Sequence, residues 1–384
     1  MPDTTKFSCA FCNSVLPEAI IDLGIFPPLN KITYTSSLSL KITICNDCGL
    51  TQLKENFHQL ENFPPEYPFR TSGTNALVKN LDELKMEILD LIPNPKNILE
   101  IGCNDFTFLK MFQDLDCNLY GIDPVKIISP QPRINYVNGF FPEDFNLNIN
   151  FDLVAVINTF AHLNQPKASL KLIHKILSED GVLALEVVDL DEMLRLNEFD
   201  KFTHEHRIYL SEETLSNFLK SEGFEILHMK RILTHGGSLR VIARKTDSVQ
   251  IDNLANPSIQ IRKLSELNKR ITEIEKQVKL FFESSKINYK KCVGIGATNR
   301  GAIFLSRIGI NLEFVVDRDA SPRVGRIFHR SFVIGDTEFL ESDTSESIAI
   351  ILAWHVAREI VDSLKSRGYK GKFLVLLPRI MFLT

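Results

Sequence analysis

Four of the seven cysteines in this chain form two pairs, Cys9-x2-Cys12 and Cys45-x2-Cys48, separated by 32 residues. A two-residue spacing lets both thiolates of a pair turn onto one ion. Two such pairs complete the tetrahedral four-sulfur set that a structural zinc prefers. The interval is longer than in a common zinc ribbon, so intervening strands must bring the pairs together. A closed four-sulfur site leaves no open coordination position, so the metal is expected to stabilise a small domain rather than to catalyse. Four unrelated cysteines are the competing reading. The opening residues, MPDTTKFSCAFC, have neither a basic n-region nor an apolar h-region. A reducing cytoplasm is therefore the expected compartment, where thiols serve as metal ligands more often than as disulfides.

At 384 residues the chain has room for two or three domains. Forty-four Lys and Arg against 48 Asp and Glu leave a net charge of −4. That balance points to neither nucleic acid nor an anionic membrane as a partner, and no apolar run approaches the roughly 18–20 residues of a membrane span. After Cys48 the passage NFPPEYPFRTSGTN reads as a connection. Strand-like runs then alternate with helical ones: NILEIG, CNLYGID, INYVNG, FDLVAVIN, GVLALEVV and HGGSLRVIARK. The alternation implies a largely parallel sheet with crossover helices. Residues 258–286 carry a long apolar stripe that reads as a packed linker helix, with a coiled-coil partner helix as the rival. A second α/β pattern follows in KCVGIGATNRG, NLEFVVD, SIAIILAW and KFLVLLP. The expected division is a zinc-binding module at 1–65, a class I methyltransferase-like domain at 66–245, and a linker helix with a C-terminal Rossmann-like α/β domain at 246–384.

ILEIGCNDFTF places a strand, an acidic residue, a glycine turn and a helix in sequence. In the class I methyltransferase fold this junction holds S-adenosylmethionine, because a glycine at the carboxyl end of the strand permits close approach of the cofactor. Glu100, Gly102 and Asp105 fall in this junction, and Asn158 ends the fourth strand. Asp123 ends the second strand, 23 residues after Glu100, where a carboxylate can accept from ribose hydroxyls. The usual spacing would put a second glycine where Phe106 stands, and a side chain there could fill part of the cofactor pocket. A nucleotide-binding sheet without this cofactor is the open alternative.

Thr203, His204, Glu205 and His206 follow the fifth strand, and His162 ends the fourth. Two imidazole sites converging on one sheet edge favour acid–base chemistry. Metal chelation by the His204-x-His206 pair is the competing reading.

The chain resembles the S-adenosylmethionine-dependent sugar C-methyltransferases that act on nucleotide-linked keto-deoxysugars, of the tetronitrose C-3'-methyltransferase type. The resemblance runs through the first cysteine pair, LGIFPPLN at 23–30, CNDCGLTQL at 45–53, EIGCND at 100–105, NTFAHL at 158–163, FDKFTHEH at 199–206, HGGSLRV at 235–241, GIGATNRG at 294–301, DRDASPRVGR at 317–326 and ILAWHVAREI at 351–360. It implies His206 as general base, Glu205 as the neighbouring carboxylate, and His162 and Tyr67 as further active-site groups, with His204 near the substrate. Thr203 stands where the family has a tyrosine. The implied reaction removes a proton beside a ketone and methylates the carbon. His162 would then donate to the developing enolate oxygen.

The second glycine turn, GIGATNRG, is an incomplete dinucleotide fingerprint. Its amides and Arg300 are expected to close over the substrate diphosphate, with a packing turn as the alternative. Arg318 is a similar candidate, and Arg240 is either an anion contact or a surface charge. The expected protein is a monomer. A relative that deprotonates a nucleotide sugar without methyl transfer, or one that only binds it, remains open at this point.

Overall fold

Strands covered on both faces must be apolar, and LVAVI at 153–157 is such a run, with Leu153, Val154, Ala155 and Val156 all buried. The structure, a computed structural model, describes residues 7–26, 38–55, 63, 67, 70–73, 75–126, 131–247, 256–284 and 292–383. Residues 27–30 of LGIFPPLN and the expected boundary near 65 lie outside them. The strands in chain order are β1 (Ile21–Phe26), β2 (Leu38–Ile44), β3 (Thr51–Leu53), β4 (Asn97–Ile101), β5 (Asn118–Asp123), β6 (Ile134–Asn138), β7 (Phe151–Ile157), β8 (Leu177–Val188), β9 (Ile208–Tyr209), β10 (Phe224–Ile232) and β11 (Ser238–Lys245). They continue with β12 (Cys292–Ile295), β13 (Val315–Asp317), β14 (Ile327–Phe328), β15 (Ser331–Gly335), β16 (Ile348–Ile351), β17 (Lys372–Val375) and β18 (Met381–Leu383).

The chain packs as two units, neither of them one run of sequence. The first comprises Met1–Ala19, Ile42–Glu192 and Glu205–Ile261, and the second comprises Ile20–Lys41, Met193–His204 and Arg262–Thr384. The main sheet of the first unit has the order β10-β11-β8-β7-β4-β5-β6. Strands β4 to β8 are parallel, and β11 runs antiparallel to both its neighbours. This is the doubly wound α/β arrangement expected. Its direction of winding reverses between β4 and β7, and the crevice at the carboxyl ends of that pair is where such sheets take ligands. A smaller antiparallel group joins Ile42–Ile44 of β2 to β3, and β3 to β9.

In the second unit the sheet order is β14-β15-β13-β12-β16-β17-β18. Five parallel strands form its middle and a reversed strand closes each edge. The long helix spans Pro257–Ser284, and Leu264, Leu267, Ile271 and Val278 of its apolar stripe are buried. That is the pattern of a packed helix. Among the described residues no helix is long and apolar enough to cross a membrane.

Candidate active site

The glycine turn lies at the carboxyl end of β4. Gly102 adopts φ +79°, and a Cβ there would meet Thr159 Cγ2 at 2.6 Å, so only glycine fits. Its amide donates to Ile122 O at 2.8 Å, which seats the turn against β5. At the end of β5 the Asp123 carboxylate accepts from Asn104 N and Val125 N, each at 2.8 Å. Burial pushes the Asp123 carboxyl above its ordinary value, and those two amides pull it partly back.

Among the described residues, two buried polar atoms at the carboxyl ends of β4 and β7, Glu100 Oε2 and Asn158 Oδ1, have no hydrogen-bond partner. A buried acceptor left unmade costs about 1–3 kcal/mol, which marks a place for a ligand donor. Burial drives the Glu100 carboxyl well above its usual range, with Asp123 and Asp105 adding repulsion. Asp105 has a different job. Its carboxylate accepts from Ser72 N at 3.0 Å and from Thr107 Oγ1 at 2.6 Å. Burial raises its pKa, but these hydrogen bonds outweigh burial and the net shift is downward. With Thr71 N donating to Asn104 Oδ1 at 3.2 Å, the 70–73 segment is laced onto the turn. That segment reads in sequence only as a connection.

Phe106 does not fill the crevice. It takes the left-handed conformation a glycine would have supplied, φ 63° and ψ 19°. Its ring is 1% exposed and packs edge-on to Tyr136 at 5.5 Å, within the cluster that includes Leu81, Cys103, Phe108 and Leu109. A phenylalanine in this backbone region costs about 1 kcal/mol, offset by burial of the ring.

Beside the turn the structure brings four of the expected groups together. The Tyr67 hydroxyl donates to Glu205 Oε2 at 2.9 Å. Burial pushes the Tyr67 phenol well up, reinforced by the charges of Glu205 and Asp123. His162 Nδ1 lies 2.7 Å from the Glu205 backbone oxygen, and the His162 and His206 rings meet edge-on at 4.7 Å. Because a carbonyl can only accept, His162 Nδ1 carries a proton and donates it to Glu205 O, which fixes the orientation of the ring. Arg70, unrecognised in the sequence, donates from Nη1 to Tyr67 O at 2.6 Å, and its charge draws the pKa values of Tyr67 and Asp123 downward. Thr203 and His204 are buried within the second unit, where Phe26 meets the His204 ring at 6.4 Å.

Two arginines expected at the substrate are committed elsewhere. Arg240 is 0% exposed. Its Nε donates to Glu186 Oε1 at 2.7 Å, its Nη2 to Asn80 O and Oδ1, and its Nη1 to Glu87. An enclosed guanidinium surrounded by its own acceptors has no face for an anion. Arg300 donates from Nε to Asp200 Oδ2 at 2.8 Å and from Nη2 to Glu198 Oε1 at 3.3 Å, and stacks over Trp354 at 4.6 Å. Two internal carboxylates already balance the charge that was expected to grip a diphosphate. Arg318 stands exposed, and its backbone amide donates to Asp317 Oδ1.

The four paired cysteines converge, with all four sulfurs within 4.8 Å of one another. Cys9 and Cys48 lie 3.5 Å apart, as do Cys12 and Cys45. A tetrahedral zinc with bonds of about 2.3 Å would hold its sulfurs about 3.8 Å apart. The donor set and spacing fit one such ion.

Residues 75–229 match the family described as a methyltransferase domain, and residues 233–378 match the family described as a C-methyltransferase C-terminal domain. The chain is an S-adenosylmethionine-dependent methyltransferase. This methyltransferase is 22% identical to C-methyltransferase NovU of Streptomyces niveus over 367 residues, covering 88% of the chain and 86% of that relative. A tRNA U34 carboxymethyltransferase of Wolinella succinogenes is 23% identical over 157 residues, 37% of the methyltransferase and 56% of the relative. Among solved structures, N-methyltransferase NodS from Bradyrhizobium japonicum WM9, in complex with S-adenosyl-L-homocysteine, aligns with 17% identity and a TM-score of 0.37, over 47% of this chain and 92% of that one.

Proposed function

We propose that this methyltransferase transfers a methyl group to a carbon beside the ketone of a nucleotide-linked 4-keto-deoxysugar. The observation that carries the reading is the grouping of Tyr67, His162, Glu205 and His206 beside the Asp123 crevice. A bare C–H acceptor needs a base, whereas an oxygen or nitrogen acceptor often does not. S-adenosylmethionine, when bound, supplies the activated methyl; Glu100, Gly102, Asp123 and Asn158 would hold it, the last through its unmade acceptor.

In this reading His206 takes the proton from the sugar carbon, an imidazole being suited to that near neutral pH. His162, once protonated, donates to the developing enolate oxygen, and Glu205 O fixes the orientation of its ring through Nδ1. The Glu205 carboxylate accepts from the Tyr67 hydroxyl and so orients the phenol toward substrate. With thymidine-diphosphate-linked 4-keto-6-deoxyglucose as probe, solvent deuterium should wash into the sugar in the wild type. His206→Asn should slow this by at least about a hundredfold, the scale of general base catalysis; unchanged exchange in the variant would reject the assignment.

The four cysteines hold one structural zinc. Metal analysis should return about one zinc per chain, with Cys45→Ser losing both the metal and cooperative unfolding of the first unit. A metal-free native protein of undiminished Tm would contradict this.

A further inference from the structure

Arg207 follows the last histidine of HEH and has no place in the chemistry above. Three of its hydrogen bonds converge all the same. Its backbone amide donates to Ala161 O at 2.9 Å, one residue before His162. Its backbone oxygen accepts from Leu53 N at 3.0 Å, at the end of β3. The guanidinium Nη1 donates to Asn164 O, two residues beyond His162. Burial lowers the pKa of the guanidinium, and the charges of Cys9 and Glu143 work in the opposite direction.

The same strand, β3, is bound to the cysteine cluster from its other side. Gln52 pairs with Ile208 in the β3–β9 register. Its side chain accepts from Ala10 N at 2.9 Å and donates to Cys9 Sγ at 3.2 Å. Cys9, Cys45, Cys48, Ala161 and Ile208 also share one apolar cluster. Four thiolates around a divalent ion carry roughly two negative charges, which attract a partly buried cation such as Arg207.

We infer that Arg207 is a positioning residue that couples the four-cysteine cluster to both site histidines. The metal site fixes β3, β3 fixes β9, and Arg207 ties the start of β9 to the segment carrying His162. The separation of His162 and His206 is thereby set by the metal module. The inference rests on the reading of those histidines as the acid–base pair, but its test contains no sugar, so the two fail independently.

The test uses the full chain, isolated with its metal and labelled with 15N-histidine, the ring signals being assigned with His162→Asn and His206→Asn. Removing zinc with a chelator should shift the wild-type His162 and His206 ring signals. Metal-loaded Arg207→Met should show the same shifts and release zinc to a colorimetric chelator about tenfold faster, as outer-shell changes do. Its S-adenosylhomocysteine affinity should stay within about twofold, and Arg207→Lys should restore the ring signals part of the way. Wild-type ring positions in Arg207→Met would overturn the inference. So would loss of S-adenosylhomocysteine affinity in step with the shifts, which marks general unfolding. Should the methionine variant not fold, unchanged ring signals in Arg207→Lys overturn it and shifted ones support it.

Discussion

The two glycine turns of this methyltransferase look alike in sequence and differ in what surrounds them. Gly102 and Gly296 both follow a central parallel strand, both have positive φ, +79° and +93°, and both donate to the neighbouring strand at 2.8 Å. Around Gly102 two buried acceptors, on Glu100 and Asn158, are left over. Around Gly296 the polar groups are consumed internally: Thr298 caps Gly301 N at 3.1 Å, and Arg300 is bound by Asp200 and Glu198. A glycine spacing thus reports a tight strand-to-helix turn in both cases. The demand for a ligand is read from unspent hydrogen-bonding capacity, which among the described residues Glu100 and Asn158 give the first turn.

Replacing each glycine tests that contrast most severely. Gly102→Ala should cost about 2–4 kcal/mol in denaturant unfolding, from strained backbone and the clash with Thr159, and should abolish measurable S-adenosylhomocysteine binding by calorimetry. At Gly296 a Cβ would come no closer than 3.2 Å, to Ala353 Cβ, so strain dominates. Gly296→Ala should cost about 1 kcal/mol and leave that binding intact. Equal effects on binding would erase the distinction between the turns.

Arg300→Met comes next in size. Removing one partner of a buried pair leaves Asp200 without its cation, while Glu198 keeps Lys201, so the second unit should lose about 3 kcal/mol while affinity for S-adenosylhomocysteine is unchanged. The smallest effect sharpens the account of the first turn. The folded Glu100 carboxyl is raised above 4.5 by burial. Stability linked to its proton is complete below that value and is lost as pH rises toward the folded pKa. Glu100→Gln cannot ionise, so the cofactor-free variant should melt above the wild type at pH 8, with the gap closing toward pH 4.5. Its affinity for S-adenosylhomocysteine should fall about tenfold. A Tm difference independent of pH would show that Glu100 is not the strained group.

How far the sequence could be read depended on whether the relevant partner was local. Strands β4, β5, β7 and β8 are buried on both faces and stand out as apolar runs. Edge strand β10 carries Glu225, Lys230 and Arg231 among its apolar residues and was hidden, since an edge need bury only part of itself. The cysteine cluster and the H-E-H sequence are legible because their chemistry needs fixed spacing. Arginines are not. Arg240 and Glu186 are 54 residues apart, Arg300 and Asp200 are 100 apart, and nothing local distinguishes an arginine awaiting an anion from one already holding a carboxylate. Arg70 and Arg207 were missed for the same reason. Phe106 shows the converse: the missing glycine was visible, but the direction of its ring is set by Tyr136 and the helix Asn75–Leu91, which no local pattern announces.

The division of the chain into packing units has a consequence for how the protein can be made and cut. Ile20–Lys41 and Met193–His204 belong with residues from Arg262 onward. During synthesis these early segments must wait for the helix Asn299–Ile308, a long-range closure that slows folding and exposes apolar surface meanwhile. A ribosome that stops after residue 245 would release a product whose β1 and whose Phe199–Lys201 turn lack the helix they pack against, so a truncated first half should depend on chaperones or aggregate.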